Sequence, residues 1–304
     1  MRTKQIILMV TTVLLLTLYN TVSAQDFDKV QITSVKVTDN IYMLQGAGGN
    51  IGLSFGSDGI FIIDDQFAPL HEKLIAVIDE LTDGKVSESA NTFLLNTHFH
   101  GDHTGGNELM GKSGIVIVAH ENVRKRLSVE LAVPFFKSTS PPVPDIGLPV
   151  ITFEQDITLH LNGDSVNIFY VGPAHTDGDA IVHFSKADVI HGGDILFTSS
   201  YPFIDLDNGG SVSGVIAAVE KILKLAGDKT KIIPGHGNLT DKAGIESYHK
   251  MLSTIFEQVS EMVAGGKTLE QIMAAKPTAE FDAQYSGFIS SEAFLGFLYR
   301  DLTE

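Results

Sequence analysis

The densest group of chemically reactive side chains lies in one heptapeptide, Thr97-His98-Phe99-His100-Gly101-Asp102-His103. It follows a short apolar run that predicts a buried strand, so these side chains stand where a strand ends and a loop begins. In an extended segment His98 and His100 point to the same side, and the turn that Gly101 permits leaves Asp102 and His103 free to face elsewhere. Imidazole nitrogens and carboxylate oxygens suit zinc, and also iron or manganese. The alternative is a polar turn that caps a helix, which is disfavoured because histidine and aspartate rarely cluster for packing.

Three further strand ends carry a histidine or an aspartate beside glycine, namely His175, Asp194 and His236. Strand ends that converge on one edge of a sheet are the usual place for a site, because the backbone fixes the side chains. Together with the heptapeptide they offer five histidines and two aspartates. Two metals that share one bridging carboxylate would use all seven.

The elements that must position these residues are short β runs broken by glycine and turn residues. The pattern predicts strands at Ser34–Val37, Ile41–Leu44, Ile51–Phe55, Ile60–Ile63, Phe93–Leu95, Gly114–Ala119, Ile151–Leu161, Ser165–Val171, Ala180–Phe184, Ala187–His191 and Lys231–Ile233. Apolar residues at helical spacing predict helices at 69–83, 121–131, 212–223, 241–264 and 291–302. Strands precede helices in each half, which indicates two stacked sheets with helices outside.

The segment Pro134–Val150 differs in composition from its surroundings. It contains five prolines and two consecutive aromatic residues, Phe135 and Phe136. One interpretation is a loop that covers a site and contacts substrate through these two rings. A plain surface connection is the equal alternative.

Composition and charge exclude several classes of protein and of reactive site. The chain has 304 residues, a formal net charge of −16 and no cysteine. The acidic balance argues against nucleic acid as the substrate or partner. The lack of cysteine excludes thiolate ligands, disulfides and a cysteine nucleophile.

The first 24 residues have the pattern of a secretory signal peptide. Arg2 and Lys4 are basic, an apolar core follows at 6–18, and Val22-Ser23-Ala24 predicts cleavage near Ala24-Gln25. The apolar core is too short to span a bilayer, which disfavours a stable membrane anchor. We therefore expect a secreted or periplasmic protein, with one domain over residues 25–304.

From about Val35 to Gly237 the chain resembles the metallo-β-lactamase-fold hydrolase superfamily. Asp64, the complete HxHxDH motif and the three later ligands appear in the family order. The resemblance implies an α/β fold, the αβ/βα four-layer sandwich, and a site for two Zn²⁺ ions per chain. It also implies a metal-dependent hydrolase that acts on a small-molecule substrate.

The resemblance further implies a role for each ligand. His98, His100 and His175 would bind the first metal, and Asp102, His103 and His236 the second. Asp194 stands where many members have a bridging aspartate. Asp64 matches an aspartate that orients a metal ligand. Catalysis would use a hydroxide shared by the metals, with Asp102 orienting it and passing a proton to the leaving group.

Two departures from the best-known zinc β-lactamases affect the substrate. Those enzymes have cysteine at the position of Asp194 and, three residues later, a lysine that holds the drug's carboxylate; this chain has Phe197 there. The signal peptide and the glycine-rich loop containing Asn208 nevertheless look β-lactamase-like. We expect β-lactam hydrolysis that is inefficient, with Asn208 as a weak substitute for the lysine. The alternatives are a lactonase or thioesterase, common among members with the bridging aspartate, and a non-catalytic metal-binding protein.

Overall fold

The computed structural model describes residues 26–84 and 91–304. The predicted signal peptide and its cleavage site at Ala24 lie outside the described residues. Within the described ranges the strands are β1 (Thr33–Lys36), β2 (Ile41–Gln45), β3 (Ile51–Phe55), β4 (Ile60–Ile63), β5 (Thr92–Asn96), β6 (Val116–His120), β7 (Leu131–Val133), β8 (Ser138–Ser140), β9 (Ile151–Phe153), β10 (Asp156–Leu161), β11 (Asp164–Tyr170), β12 (Ala180–Phe184), β13 (Val189–His191), β14 (Lys231–Ile233) and β15 (Thr240–Asp241).

The helices over the same ranges vary from single turns to six turns. They are α1 (His71–Thr82), α2 (Gly101–Thr104), α3 (Asn107–Lys112), α4 (Glu121–Leu127), α5 (Val212–Leu225), α6 (Lys242–Ala264), α7 (Leu269–Ala275), α8 (Asp282–Tyr285) and α9 (Ser291–Thr303). None of the helices in the described part of the chain is both long and apolar enough to traverse a bilayer.

Two mixed sheets form the inner layers of the molecule. The first has the strand order β1-β2-β3-β4-β5-β6-β9, and the second has the order β10-β11-β12-β13-β14-β15. In β4, Phe61 and Ile63 point into a core that also contains Val182 and Phe184 of the second sheet. The intervening Ile62 faces the opposite way. The alternation of strand side chains thus gives the first sheet two buried faces.

Helices cover the outer face of each sheet. Leu74 and Ile78 of α1 pack against the outer face of the first sheet. Val219 of α5 and Leu252 of α6 share a core with residues of the second sheet, and α9 packs against these two helices. The helix-sheet-sheet-helix arrangement confirms the predicted αβ/βα sandwich.

Two predictions about the middle of the chain are wrong in detail. Ile151–Leu161 is not one strand: β9 pairs with β6 in the first sheet, and β10 pairs with β11 in the second. Glu154 and Gln155 between them carry the chain from one layer to the other. Pro134–Val150, predicted as a loop, contains the short strand β8, which returns antiparallel to β7 and forms a hairpin. Short polar runs such as Ser138–Ser140 give little hydrophobic signal for a strand.

Candidate metal centre

The predicted site residues meet at one edge of the sandwich. Strands β4 and β5 are parallel neighbours, and their ends lead into Asp64 and the heptapeptide. Strands β13 and β14 are also parallel, and their ends lead into Asp194 and His236. The Ala180 amide donates to the Thr97 carbonyl at 2.9 Å, which ties the two sheets together at this edge. The parallel pairs therefore bring four distant segments to one place.

Three histidine nitrogens face one another in the first ligand cluster. The Nδ1 atom of His100 lies 3.1 Å from Nε2 of His98 and 2.8 Å from Nε2 of His175. All three side chains are buried. Burial lowers the pKa of His98 well below its usual range and the pKa of His175 to about 4, so these rings are neutral at pH 7.

The opposite nitrogen of each ring is held by an oxygen. The acceptors are Thr97 Oγ1 for His98 at 3.1 Å, Asp205 Oδ2 for His100 at 2.9 Å and the Phe203 carbonyl for His175 at 2.8 Å. When the outer nitrogen of a neutral ring donates its proton to the oxygen beside it, the inner nitrogen presents a lone pair. Three lone pairs within hydrogen-bond distance repel unless a cation lies among them. The donor set therefore fits a metal ion.

The second ligand cluster combines two histidines and two carboxylates. The Nε2 atom of His103 lies 3.0 Å from Asp194 Oδ1 and 3.6 Å from Asp102 Oδ2. The Nε2 atom of His236 lies 3.3 Å from a carboxylate oxygen of each aspartate. Asp194 also reaches the first cluster, with Oδ2 3.6 Å from His175 Nε2. Asp194 thus lies between the two clusters.

Two buried atoms of this cluster, His103 Nε2 and Asp194 Oδ1, have no hydrogen-bond partner. Nδ1 of His103 lies 2.7 Å from Asp64 Oδ2 and donates to it, so a neutral His103 turns a lone pair toward the Asp194 carboxylate. A lone pair and an anion cannot satisfy each other without a cation or a proton between them. The cluster therefore fits a metal as well.

The pKa values around the second cluster also fit a metal site. Burial lowers the pKa of His236, but Asp194 and Asp102 outweigh it and raise the pKa to about 9. Burial also raises the pKa of Asp102, but His103 and His236 outweigh it and lower the pKa to about 2. The carboxylates thus stay ionised and attract positive charge, which either protons or metal ions supply.

Asp64 holds this arrangement from behind. It is fully buried, and its carboxylate accepts from the Thr97 amide and hydroxyl, each at 2.8 Å, as well as from His103. Its φ is +64°, a left-handed conformation that aspartate tolerates better than most residues. Asp64 therefore lies against His103, the predicted ligand that the family resemblance leads one to expect beside it.

One residue that contacts the site was missed from the sequence. Asp205 accepts from His100 and, at 2.7 Å, from the Asn208 side-chain amide. Burial raises the pKa of Asp205, but His100 and Asn208 outweigh it and lower the pKa. No local signal could have found Asp205, because it lies in an irregular segment and its partner histidine is 105 residues away.

Asn208 was expected to contact substrate, and its side chain is instead occupied within the protein. Nδ2 donates to Asp205 and to the Ala132 carbonyl, and Oδ1 accepts from Arg126. Arg126 in turn forms an ion pair with Asp177 at 2.7 Å. The amide is therefore part of the support for Asp205 and His100.

Phe197 is likewise not on the open surface of the site. Its side chain is buried and stacks on His236, with the ring centroids 5.0 Å apart and the planes 19° apart. The expectation that a substrate carboxylate meets Phe197 is therefore wrong in geometry: the ring supports a histidine. Phe135 and Phe136, in contrast, are exposed and lie over Phe203.

We expect Asp205→Asn to weaken metal binding at the first cluster by roughly ten- to a hundredfold, as is typical when the partner of a ligating histidine is lost. The amide no longer offers an anionic acceptor that fixes the His100 tautomer. A zinc titration against a competing chelator measures the affinity. Asp207→Asn, which breaks an exposed ion pair with Arg300, is the control, and equal affinities in the two variants would contradict the assignment.

Comparisons with known proteins agree with this geometry. A family profile described as the metallo-beta-lactamase superfamily matches residues 86–236. A metallo-beta-lactamase type 2 of Bacteroides fragilis is 21% identical over 210 residues, covering 67% of this chain and 78% of the relative. A hydroxyacylglutathione hydrolase of Pelagibacter ubique (strain HTCC1062) is 30% identical over 145 residues, covering 47% and 51%. The crystal structure of the DIM-1 metallo-beta-lactamase superposes with a TM-score of 0.58 at 19% identity, covering 74% of this chain and 99% of that chain.

Proposed function

Because this chain belongs to the metallo-β-lactamase superfamily and is a metal-dependent hydrolase, we propose that it is an exported dinuclear zinc enzyme that hydrolyses β-lactam amides. One observation carries the proposal: seven ligand side chains form two clusters, and Asp194 lies within reach of both. The predicted signal peptide supports export, and residues 25–304 would form the single mature domain. The acidic surface charge argues against a nucleic-acid substrate.

The bound metals would polarise the scissile carbonyl and supply an activated water as nucleophile. The chain's own residues would admit the substrate, orient the water and transfer the proton. Asp102 keeps 26% of its side chain exposed and His236 keeps 29%, whereas the other five ligands are buried, so the substrate enters on their side. The ionised Asp102 carboxylate accepts a hydrogen bond from the attacking water, which orients it. As the water attacks, the carboxylate takes one of its protons, and it then gives that proton to the leaving group as the scissile bond breaks.

A second candidate substrate class is a lactone or thioester. It is favoured by Phe197, because no cationic arm for a drug carboxylate extends from this buried position. One of the relatives is named as a hydroxyacylglutathione hydrolase, which supports the same alternative. A site that only stabilises the fold is disfavoured, because structural zinc sites are closed and this one leaves Asp102 and His236 open.

The proposal is tested by metal analysis combined with a substrate panel. We expect about two zinc ions per chain after metal-replete refolding, because the ligands divide into two triads with one shared carboxylate. A chromogenic cephalosporin should be hydrolysed with a high KM, because position 197 has no lysine to form an ion pair with the carboxylate of the drug. Hydrolysis of a homoserine lactone or a thioester, without hydrolysis of the cephalosporin, would instead support the lactone or thioester substrate class. One metal or fewer per chain would refute the dinuclear centre.

A further inference from the structure

Three exposed phenylalanines form a patch beside the metal centre. Phe135 and Phe136 lie in the turn between β7 and β8, and Phe288 lies between α8 and α9. Their side chains are 41%, 42% and 75% exposed. Over the described residues only seven large hydrophobic side chains are exposed, so nearly half of them are in this one place. Such concentration on a surface marks a binding site more often than chance.

These rings rest on a fourth phenylalanine and form one continuous surface. Phe203 is buried, and its ring centroid lies 5.3 Å from that of Phe135 and 4.7 Å from that of Phe136. Phe136 stacks on Phe288 at 5.7 Å. We call these four residues, from three segments of the chain, the aromatic surface. Their mutual packing fixes the rings, so little ordering is needed when a ligand binds.

The aromatic surface adjoins the first ligand cluster directly. The Phe203 ring lies 5.7 Å from the His100 ring and 5.6 Å from the His175 ring, centroid to centroid. The backbone carbonyl of Phe203 also accepts from His175. Asp102, which is proposed to give a proton to the leaving group, belongs to the second cluster. An apolar group on the aromatic surface would therefore extend from the carbonyl side of the scissile bond.

We propose that the aromatic surface is the subsite for an apolar acyl or aryl substituent on the carbonyl carbon of the substrate. The inference rests on the proposed function for the reaction and names the part of the substrate that the site selects. A substrate group explains why the rings stay exposed, because they lose contact with water only when the substrate is bound. Continuity with the ligand histidines favours a substrate group over a protein partner.

The first test compares p-nitrophenyl hexanoate with p-nitrophenyl acetate, which differ by four methylenes on the acyl side. Full burial of one methylene gives roughly a fourfold gain in binding, so partial burial of four predicts at least about a tenfold higher kcat/KM for the hexanoate in the zinc-loaded protein. Phe136→Ala combined with Phe288→Ala should lower that ratio by at least about fivefold. Val150→Ala removes an exposed apolar side chain elsewhere and should leave the ratio unchanged.

The second test reads binding without turnover. The chain contains no tryptophan, so Phe288→Trp introduces a single reporter. Phe55→Trp is the matched control, because Phe55 pairs with Ile60 at the end of β4 opposite to Asp64. N-methylhexanamide should shift the emission of the Phe288→Trp protein to shorter wavelength more than N-methylacetamide does, and neither probe should change the control.

The two tests separate the subsite from the reaction. An emission shift without hydrolysis of any ester or lactam would retain the subsite and refute the proposed function. Hydrolysis with equal kcat/KM for both esters in wild type, or an unchanged ratio in the double alanine variant, would refute the subsite and leave the function standing. Unchanged emission with both amide probes would likewise refute the subsite.

Discussion

Asp194→Ala is expected to lower hydrolytic turnover by more than about a hundredfold. Loss of a hydrogen-bond partner of a ligating residue typically costs roughly ten- to a hundredfold, and loss of a shared ligand should cost more. Asp194 is the side chain whose two oxygens face both ligand clusters, at 3.0 Å from His103 and 3.6 Å from His175. Its removal leaves His103 and His236 without the carboxylate that attracts positive charge to them. Metal content should fall toward one ion per chain, measured by elemental analysis after dialysis.

Two further variants make the Asp194 test specific. Asp194→Asn keeps the shape of the side chain and removes its charge, so it should lose metal like the alanine variant if the carboxylate bridges. Asp207→Ala breaks an exposed ion pair with Arg300 and should retain both metals and turnover. Two metals and wild-type turnover in Asp194→Ala would show that this residue is not the bridge.

The sequence was sufficient for the fold and the seven clustered side chains because both signals are local. Strands such as Ile60–Ile63 and Ala180–Phe184 are continuous apolar runs, and the structure has them with the predicted bounds. Each predicted ligand stands within a few residues of such a strand, beside glycine or within a dense motif. Once the strands are parallel, their ends must share an edge, and the side chains meet there.

What the sequence did not reveal depends on contacts between distant segments. Asp205 was missed because its role depends on contact with His100, and the hydrogen bonds of Asn208 to Asp205 and Arg126 were not foreseen. Phe197 looked available to substrate, but the ring is covered through packing on His236. Periodicity carries no information about such pairs, since it reports only which face of an element is apolar.

The aromatic surface could be predicted from the sequence only in part. Two of its members, Phe135 and Phe136, stand out in the sequence because they are adjacent in a proline-rich segment. Phe203 and Phe288 do not stand out, and they join the surface only because the hairpin β7–β8 folds over them. Composition could therefore suggest a substrate-contacting segment, while the extent of the surface required the fold.

Asp64→Asn is expected to lower the affinity of the second cluster for zinc by roughly ten- to a hundredfold, with a similar loss of turnover. The Asp64 carboxylate accepts from His103 at 2.7 Å and also from the Thr97 hydroxyl at the same oxygen. The other oxygen accepts from the Thr97 amide at 2.8 Å. An asparagine has only one terminal oxygen, so it loses either the Thr97 amide contact or the two contacts from His103 and the Thr97 hydroxyl. If the amide nitrogen faces His103, the proton moves to Nε2 and that nitrogen no longer has a lone pair for the metal.

Asp65→Asn is the matched control, because Asp65 is the next residue and is equally buried. Its carboxyl accepts from the Gly106 amide at 3.0 Å and makes no contact with the His103 ring. Burial raises the pKa of Asp65 well above its usual range, which favours the neutral acid that asparagine matches in shape and charge. This variant should keep both metals and most of its turnover.

Zinc titration of the two purified variants, Asp64→Asn and Asp65→Asn, against a competing chelator measures the difference in affinity. Equal affinities in both would mean that Asp64 supports the backbone around Thr97 rather than the tautomer of His103, and only a weaker second site in Asp64→Asn alone supports the orienting role.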